Sequence, residues 1–147
     1  MRAVAIDLDA LGDARPLWLD WLADVARRAR VEAVPPDDPV AAEQRLDDLV
    51  GNWRRLLERY AEEHAPVHLR PHAEASSALR RLEGAGVAIG VFTELPEPLA
   101  RVAIAQLGAG RRLAAVEAGP GALERLVAKL GPETRVVRTR AELAGLD

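Results

Sequence analysis

Ala3-Val4-Ala5-Ile6-Asp7-Leu8-Asp9 is the stretch on which the reading of the fold turns. It is a short apolar run whose β-branched Val4 and Ile6 suit a buried strand. It ends in two carboxylates two residues apart. A parallel strand that reaches its carboxyl edge typically ends this way, and that edge is the ligand side of open α/β sheets. Asp7 and Asp9 are therefore the first candidate site residues.

Working outward, the next segment is helical. Leu17, Trp18, Trp21, Leu22, Val25 and Ala26 recur at helical spacing, opposite a face carrying Asp20, Asp24, Arg27 and Arg28. The stretch Val34-Pro35-Pro36-Asp37-Asp38-Pro39 breaks the pattern, and Asp38-Pro39 reads as an N-cap followed by proline in the first turn. A second helix carries Leu46, Leu49, Val50, Trp53, Leu56, Leu57 and Tyr60 on one stripe. Gly51-Asn52 weakens its middle, and Pro66 is expected to end it.

From Arg70 onward helices and strands alternate. Ala73–Glu83 reads as a helix stopped by Gly84-Ala85-Gly86. Val87–Thr93 is a continuous apolar run, the pattern of a fully buried strand. A helix over Pro98–Leu107, a weak strand at Leu113–Val116, a helix over Gly121–Leu130, a short strand at Arg135–Val137 and a last helical turn over Ala141–Leu146 follow. This alternation predicts βαβ units and a parallel sheet. The exception, residues 14–66, reads as an all-helical insertion after the first strand.

Composition narrows the function classes. The chain has 147 residues, enough for one domain with a small insertion. Twenty basic residues against 23 acidic ones give a net charge of −3, which leaves no basic footprint for nucleic acid. Nineteen of the basic residues are Arg, and Lys129 is the single lysine. With no cysteine, disulfides, thiolate metal sites and cysteine nucleophiles are excluded. No apolar run approaches the roughly 20 residues that span a bilayer. Acidic Asp7 and Asp9 interrupt the only stretch that could serve as a signal core, so a cytoplasmic protein is expected.

The order of these parts resembles the haloacid dehalogenase (HAD) superfamily, in its phosphoglycolate-phosphatase-like branch. The resemblance rests on Asp7-Leu8-Asp9 closing the first strand and on the helical insertion just after it. It rests also on Arg70-Pro71-His72, on Leu82-Glu83-Gly84-Ala85-Gly86 and on the strand closed by Thr93. It implies an α/β fold: a three-layer Rossmann-like core over residues 1–13 and 67–147, with a small parallel sheet, and a helical cap over 14–66. It further implies Asp7 as the nucleophile that forms an aspartyl-phosphate, Asp9 as the general acid and base and Thr93 as a phosphate-binding hydroxyl. Mg²⁺ would be held by Asp7 and Asp9.

Three positions depart from that pattern. Asp7-Leu8-Asp9 is followed by Ala10-Leu11-Gly12 rather than Gly-Thr-Leu. Glycine stands in the lysine's place in Ala118-Gly119-Pro120. The strand Arg135–Val137 runs into Arg138-Thr139-Arg140, where the family carries Gly-Asp and a further acid. A second alignment of this tail, through Ala141-Glu142-Leu143, deletes that acidic motif altogether. The chain is also short for a capped enzyme of this kind, with the shortfall expected near the C-terminus. The expected function is a phosphatase-like hydrolase scaffold with a degenerate phosphoryl-transfer site, weak or inactive.

Two alternatives stay open. One is an active Mg²⁺-dependent phosphatase acting on a small phosphorylated metabolite, with Glu94 or Glu117 as a relocated metal acid and Arg138 or Arg140 in place of the lysine. The other is a non-catalytic binding or assembly protein that uses the cap as a homodimer interface. Trp18, Trp21 and Trp53 are expected to form the cap's own core. His64, His68 and His72, four apart, are expected to be solvated rather than to share a metal, because Pro66 and Pro71 interrupt the helix between them. Neither nucleic acid nor membrane is an expected partner.

Overall fold

The computed structural model describes residues 1–31 and 34–146. Four strands, β1 (Ala3–Asp7), β2 (Ala88–Thr93), β3 (Ala115–Ala118) and β4 (Thr134–Val137), form one parallel sheet in the order β3-β2-β1-β4. The chain lays β2 and β3 to one side of β1 and then returns to place β4 on the other. This puts a change of winding direction between β1 and β4, the position beside which ligands bind in open α/β sheets. The registers are Ile6↔Val91 and Asp7↔Phe92 toward β2, and Ile6↔Val137 toward β4.

Alternation along the strands divides the side chains between two faces. Val4, Ile6, Ile89, Val91 and Val137 point into the larger core, under α4 (Ala73–Gly84), α5 (Glu97–Gln106) and α7 (Arg140–Ala144). Ala5, Phe92 and Val136 point to the opposite face, covered by α6 (Ala122–Leu130) through Ala122 and Leu126. The result is the expected three-layer α/β fold. The short side chain of Ala5 and the bare backbone of Gly90 bring α6 close to the sheet. A Cβ on Gly90 would lie 2.6 Å from a methyl of Leu126 and 3.0 Å from one of Leu130.

Between β1 and α4 run three helices where two were expected: α1 (Arg15–Arg28), α2 (Pro39–Leu49) and α3 (Trp53–His68). The proposed second helix breaks because Val50 turns extended (φ −138°, ψ 95°) and Asn52 serves as the N-cap of α3. Gly51-Asn52 thus ends one helix and starts another rather than merely weakening one. The cap at Asp38 is as expected: its carboxylate accepts from the Ala41 N–H at 3.0 Å, with Pro39 in the first turn. Pro66 does not end α3. It sits in the last turn, where its missing N–H removes one helical bond, and the Leu69 N–H still closes onto the Ala65 carbonyl at 2.8 Å.

The tryptophans form a row, with Trp18 and Trp21 centroids 5.6 Å apart and Trp21 and Trp53 6.0 Å apart. All three are at most 1% exposed. The Trp18 indole N–H donates to the Asp37 carbonyl (2.9 Å) and that of Trp53 to the Asp47 carboxylate (2.7 Å). They do not make a core of their own. They belong to the same apolar cluster as Val4, Ile6 and Val91, and α3 lies along α5, tied to it by the Arg101–Glu58 ion pair at 2.8 Å. Hidden inside the chain, they offer no surface to a second copy.

Because Gly90 is where α6 meets the sheet, Gly90→Val should overpack that contact. A loss of about 1–3 kcal/mol, read as a lower midpoint in urea denaturation, is the expected outcome.

Candidate active site

β1 delivers Asp7 to the carboxyl edge and then stops. Asp7 has extended backbone (φ −63°, ψ 135°), and its Oδ1 accepts from the Asp9 N–H at 3.0 Å, capping a single 3₁₀ turn over Leu8–Ala10. Asx capping of this kind turns the chain sharply off the strand. It brings both carboxylates to the wall of one pocket of about 380 Å³, in the range of small-molecule sites. Thr93, at the end of β2, joins them there. It is 7% exposed, and its Oγ1 accepts from the Leu95 N–H at 3.2 Å. The hydroxyl thus shapes the turn after β2, and its own proton stays free for a ligand.

Arg138, the residue just after β4, lines the pocket beside them. Because Ile6 is in register with Val137, the next residues on the two strands, Asp7 and Arg138, emerge side by side. An Arg138 guanidinium nitrogen stands 4.0 Å from Asp7 Oδ2, too far for a hydrogen bond but within Coulomb range. The guanidinium also lies 5.5 Å from the centre of the Phe92 ring, a cation–π contact that steadies it. Arg140 does not line the pocket. It opens α7, whose N-cap is Thr139: Thr139 Oγ1 accepts from the Glu142 N–H at 3.1 Å and donates to the Glu142 carboxylate at 3.2 Å.

Burial raises the carboxyl of Asp7 above its ordinary range, against the Asp9 N–H and the charge of Arg138, which both lower it. Asp9 is raised too, by burial first and then by the charges of Asp7 and Asp13, while Arg15 opposes. Each acid of the pair therefore has an arginine near it. Arg15 was missed in the sequence. It follows Asp13, whose carboxylate accepts its N–H at 3.1 Å, and it lines the pocket. Also missed were Asp38, at the cap of α2, and the first turn of α6, residues 121–124, which lines the pocket wall.

Two expected substitutes lie elsewhere. Glu117 is not on the pocket wall. Its carboxylate accepts from Arg125 at 2.7 Å and from Lys129 at 2.5 Å, and these hydrogen bonds lower its pKa. The single lysine is thus taken up at Glu117, and Gly119 (φ +88°) occupies the turn where a lysine was sought. Arg125 reaches on to the carbonyls of Ala118 and Pro120, fastening that turn. Glu94 does line the pocket, at its exposed rim.

The histidines are separate. His64 packs on Tyr60, with ring centres 4.1 Å apart. His68 lies 3.4 Å from Asp20, and His72 caps α4. Pro66 leaves the helix between His64 and His68 unbroken; those two rings engage different neighbours, Tyr60 and Asp20, while His72 lies beyond the end of α3 at the N-cap position of α4.

The donor set does not fit a resident Mg²⁺. Of Asp7's two oxygens, one is held by the Asp9 N–H and the other faces a guanidinium. No group of three or more His, Asp or Glu side chains able to hold a metal occurs among the described residues. Octahedral Mg²⁺ needs free oxygen ligands rather than an acid already facing a fixed cation.

No family model matches the chain, and no curated protein matches it by sequence. Solved structures do. CbbY from Rhodobacter sphaeroides in complex with phosphate aligns at a TM-score of 0.72 and 14% identity, over 99% of this chain and 84% of that one. A HAD phosphatase from Thermococcus onnurineus aligns at 0.60 and 19%, over 94% and 77%. A structure described as a β-phosphoglucomutase from Thermotoga maritima aligns at 0.58 and 17%, over 98% and 80%. The chain therefore has the HAD-like α/β fold expected from its sequence.

A carboxyl raised by burial costs stability while ionised. The folded state holds its proton to a higher pH than the unfolded chain, so stability falls as pH rises through the interval above about 4. Asp7→Asn keeps the cap and removes that charge. It should raise the urea midpoint at pH 7, and the gain should vanish below about pH 4, where Asp7 is protonated in both states.

Proposed function

We propose that this chain is a phosphatase-type scaffold whose phosphoryl-transfer site is degenerate. In this reading it binds a small phosphorylated molecule and hydrolyses it weakly or not at all. One observation carries the proposal: the charge beside Asp7 is the guanidinium of Arg138, while Lys129 is spent on Glu117. Attack on phosphorus requires a free carboxylate oxygen and a neutralised phosphoryl group. Asp7 presents one oxygen tied to a backbone N–H and another facing a cation that weakens its electron pair. Its neighbours remain suited to binding. The Thr93 hydroxyl can donate to a phosphoryl oxygen, and Asp9, its carboxyl raised by burial, lines the same pocket.

In the same reading, residues 14–66 act as the cap, and α1 and α2 limit access to the pocket through Arg15 and Asp38. The cytoplasm is the proposed location, on the cysteine-free composition. No described helix is long and apolar enough to cross a membrane. A second reading, an active hydrolase with Asp7 as nucleophile, draws support from Asp9, which lines the same pocket two residues on with its carboxyl raised by burial.

Turnover of p-nitrophenyl phosphate with Mg²⁺ separates the two. The proposal expects a rate near the buffer background and unchanged in Asp7→Asn. Turnover on the order of 1–10 s⁻¹, abolished by Asp7→Asn, would establish the active hydrolase instead.

A further inference from the structure

We infer that Arg138 takes the place of a divalent cation at the Asp7–Asp9 pair, making this a site that excludes Mg²⁺ and meets its ligand's oxyanion with a guanidinium. The inference rests on the proposed ligand-binding reading of the pocket and says what provides the positive charge there.

Three neighbouring strands argue for it at one level of the sheet. Arg138 follows Val137 on β4, Asp7 ends β1, and Phe92 pairs with Asp7 from β2. The guanidinium is set by its strand, placed over the Phe92 ring and 4.0 Å from the only Asp7 oxygen not already hydrogen-bonded. A cation bridging Asp7 and Asp9 through that oxygen would meet the like charge of the guanidinium. Asp7 faces Arg138 at 4.0 Å, and Arg15, paired with Asp37 at 3.5 Å, is the second arginine on the pocket wall. Arginine presents a planar set of donors that matches the oxygens of a phosphoryl group and carries its charge at every working pH. Its exposed side chain, 58% accessible, leaves those donors open to the pocket.

The experiment titrates Mn²⁺, a paramagnetic stand-in for Mg²⁺, into the ¹⁵N-labelled chain and follows broadening of the Asp9 and Thr93 amides. The wild type should show no saturable broadening there. Arg138→Gln should acquire it, with affinity at least tenfold above the wild type, and Arg138→Asp should bind more tightly still. Adding Asp7→Asn to Arg138→Gln should abolish it. Saturable Mn²⁺ binding by the wild type that Arg138→Gln leaves unchanged would overturn the inference, as would folded Gln and Asp variants that bind no better than the wild type. These outcomes are independent of turnover. Phosphatase activity would defeat the degenerate-site reading without deciding the ion, and Mn²⁺ binding by an inactive wild type would defeat only the role of Arg138.

Discussion

Asp7 and Arg138 meet because two parallel strands end at the same height. β1 is central, paired on both sides, and its buried Val4 and Ile6 anchor it between the two helical layers. Shifting β4 by one residue would turn Arg138 away from Asp7 and expose Val137, now 1% accessible, so burial of the strand fixes the ion pair. Everything else in the pocket is arranged around this contact. The Asx cap of Asp7 swings Asp9 inward, Thr93 closes the β2 side, and the helices that follow β1 bring Arg15 and Asp38 to the rim.

The same contact explains why a familiar arrangement of elements carries unfamiliar charges. A carboxylate pair half-sunk at a strand edge needs a positive neighbour, and burial raises both acids even with the arginines present. Here side chains provide that neighbour. Lys129 is occupied on the far side of α6, where Glu117, Arg125 and Lys129 fasten the turn between β3 and α6. The chain's one lysine therefore has a structural use, and the charge it would have brought to the pocket comes from the end of β4.

Much of the fold was legible because periodicity reports burial. The continuous apolar run of β2 and the alternating helices and glycine stops after it gave strands and helices within a residue or two of their observed ends. The misreadings were local. Gly51-Asn52 breaks a helix because Val50 goes extended, which a stripe of apolar residues does not reveal. Pro66 is tolerated because it falls in a last turn. The tryptophans looked like the core of a separate layer, but whether a helical insertion folds onto its neighbours depends on tertiary packing, and here α3 lies on α5. In the site, Asp7, Asp9 and Thr93 were readable from their places at strand ends. Arg138 and Arg140 were interchangeable in sequence; only the register of β4 against β1 tells them apart. Glu117 looked like a metal acid because it sits near the end of a strand, and the side chains of α6 claim it.

The central claim is that Arg138 is electrostatically coupled to Asp7. Titration of the Asp7 carboxyl by ¹³C NMR in the wild type and in Arg138→Gln tests it most directly. The account predicts that losing the guanidinium raises the Asp7 pKa further above the ordinary carboxylate range. An Asp7 titration that is the same in both proteins would contradict it.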